Sequence, residues 1–223
     1  MKIGFFGDSF CADIKSSDLS YQTYIQKLAT EYNAEIIHTG VPGSSVGDVL
    51  MMQINEVEQL PELCIFVWTD ASRLFNWHIR NINSATAEQY KNVGKVWAAA
   101  ADYYKYLCED PFIVIQYRAL LEYIDNHVLP TFPETTKIIH LWAFGEPNKK
   151  FIHKWKHGVE IRPALVDLCV GDRDFAKMAK MKFANHIDTQ SKNELLFEWI
   201  NEAIKNYSNG LLLTKELNSE QQY

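Results

Sequence analysis

The sequence predicts one α/β domain on a doubly wound parallel sheet, a three-layer α/β/α sandwich of flavodoxin-like topology with about five parallel strands. Three observations predict it. Short apolar runs at 2–6, 34–38, 63–68 and 138–142 read as strands. Segments with apolar residues at helical spacing lie between them, the alternation that gives a parallel sheet. The run Leu63-Cys64-Ile65-Phe66-Val67-Trp68 shows no polar alternation, as expected of a central strand buried on both faces.

Taken in order, Lys2-Ile-Gly-Phe-Phe6 is a short buried strand stopped by Gly7-Asp8. Tyr24, Ile25, Leu28, Ala29 and Tyr32 then fall on one helix face. Ala34 to His38 is a second strand, ended by Gly40, Pro42 and Gly43. Ser44 or Ser45 caps a helix running through Val49, Met52 and Val57. After the third strand, Tyr90, Val93, Trp97, Ala100, Ala101, Tyr104 and Cys108 form a single helix face, an aromatic stripe read as core packing. Asp110-Pro111 opens the next helix, which stops near Pro130. Ile138 to Trp142 is a fourth strand, and Ala164 to Val170 is read as a fifth. Ser191 with Glu194 forms a capping box for a last helix through Leu195, Trp199, Ile200, Ala203 and Ile204. The expected domain therefore covers residues 1–207, with a helical insertion at about 84–130 and a C-terminal tail at 208–223.

Composition narrows the classes of function. The chain has 223 residues, with 22 Lys and Arg against 28 Asp and Glu, giving a formal charge of −6. That balance lacks the basic footprint of a general nucleic-acid binder and offers no polybasic surface to anionic lipid. No apolar run approaches the ~20 residues needed to span a membrane, and no signal-peptide pattern opens the chain, so a cytoplasmic protein is expected. The four cysteines, Cys11, Cys64, Cys108 and Cys169, form no C-x-x-C pair, and Cys64 reads as a small buried hydrophobe. His153 and His157 stand four apart without the glutamate of a zinc-protease motif, so Lys149 to His157 is read as an exposed basic loop. No metal and no organic cofactor is implied, and the absence of a Gly-x-Gly-x-x-Gly or Walker sequence after the first strand disfavours a nucleotide binder.

In an open parallel sheet, ligands sit beyond the carboxyl ends of the strands. Gly7-Asp8-Ser9, His38 to Ser45 and Thr69-Asp70-Ala71-Ser72-Arg73 follow three of these ends and should meet at one edge. Ser9, on a strand-to-loop turn, is placed to act as a nucleophile if a base and oxyanion donors are at hand. Gly43 offers an unobstructed N–H, and Thr69 a hydroxyl or backbone donor. Asp70 and Arg73 are expected to form a structural ion pair or a loop bond rather than to perform chemistry. Trp68, Trp77 and Trp142 lie near strand ends, where one or two could line a pocket.

These blocks resemble the SGNH hydrolases, the GDSL-like esterase and lipase family. The first block is matched by Gly7-Asp8-Ser9-Phe10, the oxyanion glycine by Gly43 within His38 to Ser44, and the last block by Asn185-His186-Ile187-Asp188. The third block departs from Gly-x-Asn-Asp, reading Val67-Trp68-Thr69-Asp70. Its Trp-Thr-Asp-x-Ser-Arg form is similar to SGNH-like proteins of tailed bacteriophages. The resemblance implies a serine esterase in which Ser9 attacks, His186 is the base, and Ser9, Gly43 and Thr69 surround the oxyanion. The family's acid position is Phe183, so Asp172, Asp174, Asp188 or a backbone carbonyl must orient His186. Expected substrates are acetyl or short-acyl esters, including those of carbohydrates. The alternative is a phage-type structural or glycan-binding module with little catalysis. A homo-oligomer or virion partner would be met through the C-terminal tail.

Overall fold

The computed structural model describes residues 1–12, 20–144, 153–161, 164–169, 187 and 189–207. Five strands, β1 (Lys2–Phe6), β2 (Glu35–His38), β3 (Leu63–Trp68), β4 (Lys137–Trp142) and β5 (Val159–Glu160), form one sheet in the order β2-β1-β3-β4-β5. Every pairing is parallel. This is the flavodoxin-like order of a doubly wound sheet, whose switch point lies between β1 and β3.

Each crossover begins with local chemistry that commits the chain to a helix. Thr23 and Gln26 form a reciprocal capping box at α1 (Tyr24–Glu31). Ser45 and Asp48 do the same for α2, in which one α-helical turn (Val46–Asp48) passes into a π-helical stretch (Val49–Gln53) and ends at Ile54–Glu56. Between β3 and β4 lie α3 (Ser84–Tyr90), α4 (Lys95–Tyr106) and α5 (Asp110–Tyr123). The end of α5 continues as π-helical Ile124–Val128 and a 3-10 turn at Leu129–Thr131. The C-terminal side contributes α6 (Leu165–Cys169) and α7 (Gln190–Tyr207). Helices α1 and α7 pack together on one face of the sheet, and α2 approaches α5 on the other, as right-handed crossovers require.

The core is the sheet's two buried faces. All six residues of β3 are buried, as its unbroken apolar run demands. Phe6, Phe66 and His140 occupy matching positions on β1, β3 and β4. Their rings stack in a row that His38 extends at one side and Trp68 and Trp155 at the other. His140 lies inside this row, its ring 3.7 Å from that of Trp155 and 7° from parallel. Its Nδ1 accepts from Trp68 Nε1, so Nε2 carries the proton and donates to His157 O at 2.7 Å. Burial lowers the His140 pKa to about 3 and keeps the ring neutral.

Four expectations from the sequence are corrected. The fifth strand is Val159–Glu160, and Leu165–Cys169 is helical instead. Ala164, Leu165 and Val166 are buried consecutively, and Asp167 N–H turns back to Ala164 O. A short apolar run fits a buried helix as well as a strand. The expected single face from Tyr90 to Cys108 is broken at Gly94, so Tyr90 closes α3 while Trp97 and Tyr104 belong to α4. The two helices fold back on each other around Ile82, Ala87, Ala100 and Ala101, leaving Tyr90 and Val93 exposed. The last helix starts at Gln190, and the capping hydroxyl is Thr189, which accepts from Lys192 N–H. Glu194 pairs with Gln190 and Lys27 rather than closing a box with Ser191. Finally, His153 is buried and faces Asp125, so the expected basic loop is anchored at that residue, while Lys154 and Lys156 are exposed as expected. Lys149 to Ile152 lie outside the described residues. Among the described residues no helix is long and apolar enough to cross a membrane.

Candidate active site

The loops after β1, β2 and β3 meet at the carboxyl edge of the sheet, and backbone hydrogen bonds bind them together. Val41 N–H donates to Gly7 O at 3.0 Å, and Gly40 N–H to Cys11 O at 2.8 Å. Gln53, from α2, clamps the first loop: its Oε1 accepts from Gly7 N–H at 2.8 Å, while its Nε2 donates to Gly7 O and to Ser44 Oγ. Gly43 holds a φ of +80°, a conformation few side chains tolerate, and a Cβ there would lie 2.5 Å from Asn81 Cβ. Asn81, itself at φ 61°, donates its N–H to Gly43 O at 2.8 Å.

Asp8 is the electrostatic centre of this edge. It is fully buried, and its Oδ2 accepts from Thr69 Oγ1 at 2.8 Å and from Arg73 Nη1 at 3.0 Å. Its Oδ1 accepts from Phe10 N–H at 3.1 Å. The same Arg73 nitrogen reaches Ser44 O at 3.1 Å, so one guanidinium ties together the loops after all three strands. Burial pushes the Asp8 carboxyl above its ordinary value, against the pull of Arg73 and of the Phe10 and Thr69 hydrogen bonds. Of the two roles expected for Asp70 and Arg73, the loop bond is the one found for Asp70, which accepts from Ser72 N–H at 2.7 Å, while Arg73 forms its ion pair with Asp8.

Ser9 follows Asp8 directly and is half-buried. Around it the N–H groups of Gly7, Phe10, Cys11, Gly40, Val41, Ser44 and Ser45 all have acceptors inside the protein. Among the described residues, no acceptor takes the N–H of Ser9 or of Gly43, and the Ser9 hydroxyl has no partner. The N–H groups of Ser9 and Gly43 and the Ser9 hydroxyl are thus among the donors left open on these loops, as are the N–H groups of Asp8 and Thr39. Thr69 is buried and its hydroxyl donates its single proton to Asp8, so that hydroxyl is turned away from the oxyanion role expected of it.

The structure thus brings Ser9, Gly43 and Thr69 to one edge. His186 lies outside the described residues, as do Asp172, Asp174, Phe183 and Asp188. Trp68 and Trp142 are buried in the core, whereas Trp77 is exposed and contacts Phe75 edge-on. Gln53 was not singled out in the sequence; its one signal was an amide within the apolar pattern of α2. Among the described residues no group of three or more His, Cys, Asp or Glu is arranged to hold a metal ion.

Fold and site together define the class: a doubly wound α/β protein with a polar, loop-built site at its switch point. Neither a family model, nor a curated protein, nor a solved structure matches the chain.

Proposed function

We propose that the protein is a serine ester hydrolase acting on short-acyl esters, those of carbohydrates among them. The observation that carries the reading is the open N–H and hydroxyl of Ser9 at the carboxyl edge of the sheet, the edge that also carries the loop with the open Gly43 N–H. Ser9 Oγ bonds to the ester carbonyl carbon as its proton passes to His186. The carbonyl π pair moves onto oxygen, where the two N–H donors stabilise it. Collapse expels the alcohol, which takes the proton from His186. Water, deprotonated by His186, then releases the acid from Ser9. The buried Asp8–Arg73 pair holds the three loops in place and touches no substrate.

The test is hydrolysis of p-nitrophenyl acetate. Ser9→Ala and His186→Ala are each expected to lower kcat by roughly 10³-fold or more. In the wild type, kcat/KM is expected to rise with pH, because the base must be neutral. Activity that survives Ser9→Ala sinks the reading. A second reading, a glycan-binding or virion module that has lost turnover, is favoured by one feature: the Thr69 hydroxyl serves Asp8 rather than a substrate.

A further inference from the structure

Gln53 is an amide at a helix position that ordinarily holds an apolar side chain. It shares the buried face of α2 with Val46 and Val49 and is itself only 1 % exposed. A buried amide is costly unless its hydrogen bonds are made. Here all are made: Oε1 accepts from Gly7 N–H at 2.8 Å, and Nε2 donates to Gly7 O at 2.8 Å and to Ser44 Oγ at 2.9 Å.

The two residues it holds adjoin two turns. Cys11 N–H donates to Asp8 O at 3.1 Å, closing a turn whose second residue is Ser9. Gly7 directly precedes that turn. Ser44 N–H donates to Val41 O at 3.1 Å, closing another turn with Pro42 and Gly43 at its centre. Proline followed by a residue at φ +80° is the type II form, and the Gly43 N–H takes no part in its closing bond. Ser44 ends this turn and is fully buried. Its hydroxyl is held by Gln53 and its carbonyl by Arg73.

We infer that Gln53 is a positioning residue of the Ser9 site: one amide, by holding Gly7 and Ser44, fixes the turn that carries the Ser9 N–H against the turn that carries the Gly43 N–H. Its effect on rate rests on the ester-hydrolase reading; its hold on the two turns does not. Gln53 touches no substrate and moves no proton. Its loss misplaces donors whose stabilisation is realised only in the transition state, so the effect belongs in kcat.

Gln53→Met keeps a side chain of similar size and removes all three bonds, and Ser44→Ala removes one. With p-nitrophenyl acetate, Gln53→Met is expected to lower kcat by about 100-fold and to leave KM within about threefold of the wild type. Ser44→Ala, expected to lower kcat by about tenfold, carries the same test if Gln53→Met does not fold. The hold on the turns is read without substrate by proton–nitrogen correlation NMR. In either variant the Ser9 and Gly43 N–H signals are expected to shift while those of β3 stay in place. A folded variant with wild-type kcat, or with its loss wholly in KM, overturns the positioning role and leaves the esterase standing. Unmoved Ser9 and Gly43 signals overturn it as well. If the wild type hydrolyses no ester, shifted signals keep the hold on the turns and sink the esterase, and unmoved signals sink both.

Discussion

Asp8 shows how a single residue's role depends on contacts the sequence does not display. Reading along the chain offers Arg73 its neighbour Asp70 as an ion-pair or loop partner, but in the fold the Arg73 guanidinium reaches Asp8, 65 positions away. What could be read was the turn after a buried strand; what could not was which carboxylate lay opposite the guanidinium. The Arg73 side chain is only 9 % exposed and Asp8 not at all. Asp8→Ala therefore strands a buried cation and leaves the Thr69 hydroxyl without its acceptor. Urea unfolding is expected to show a loss of about 3 kcal/mol for Asp8→Ala. The double variant with Arg73→Ala should lose clearly less than the sum of the two single changes, and strict additivity would show that the pair is not coupled. Gly43 makes a second test at this scale. Ala at φ +80° meets Asn81, so Gly43→Ala is expected to cost about 1–3 kcal/mol, read by the same unfolding curve. A neutral Gly43→Ala would mean the loop relaxes freely and the Gly43 N–H is not held in place.

At the scale of elements, strands with an unambiguous environment were legible and those without one were not. β3 and β4 are buried along their length, and a continuous apolar run has that one meaning for a central parallel strand. The Ala164 to Cys169 segment has the same composition but is too short for its period to separate strand from helix. The aromatic row from His38 to Trp155 was invisible for another reason: it is set by register, Phe6 opposite Phe66 opposite His140, which no single segment encodes. Capping was legible at α2, where Ser45, one of the two caps expected, takes the Asp48 N–H. It shifted by two positions at α7, because Thr189 and Ser191 are equally good caps on paper. Thr189→Ala is accordingly expected to cost about 1 kcal/mol and Ser191→Ala, within the first turn, only a few tenths, measured by thermal unfolding.

For the whole molecule, the formal charge of −6 says less than where buried charge and buried imidazole lie. His140 takes up its proton only near pH 3 when folded but near ~6.5 when unfolded, so the unfolded chain binds more protons between these values. Its contribution leaves stability flat above about pH 6.5 and lowers it as acid is added, by up to about 1.4 kcal/mol per pH unit. Burial raises the Asp125 carboxyl, but contacts from His153, the Lys156 N–H and His157 outweigh it and hold the pKa at about 2. That second contribution is lost only below the ordinary carboxylate range. Urea unfolding at pH 7.5, 6, 5 and 4 should therefore show a progressive loss that His140→Phe makes shallower, from a lower starting stability because Trp68 Nε1 and His157 O lose their partner. Burial raises the Asp8 carboxyl, whose contribution runs the other way as acid is added, so the wild-type and His140→Phe profiles are compared, and equal slopes would contradict a buried neutral His140. An ester hydrolase requires the half-buried Ser9 hydroxyl at the switch point to be a nucleophile. Labelling with a fluorophosphonate probe, followed by mass spectrometry to locate the adduct, tests this most directly. One adduct on Ser9, absent from Ser9→Ala and slowed in His186→Ala, is the predicted result; an unlabelled wild type from neutral to alkaline pH, or an adduct on another residue, would contradict it.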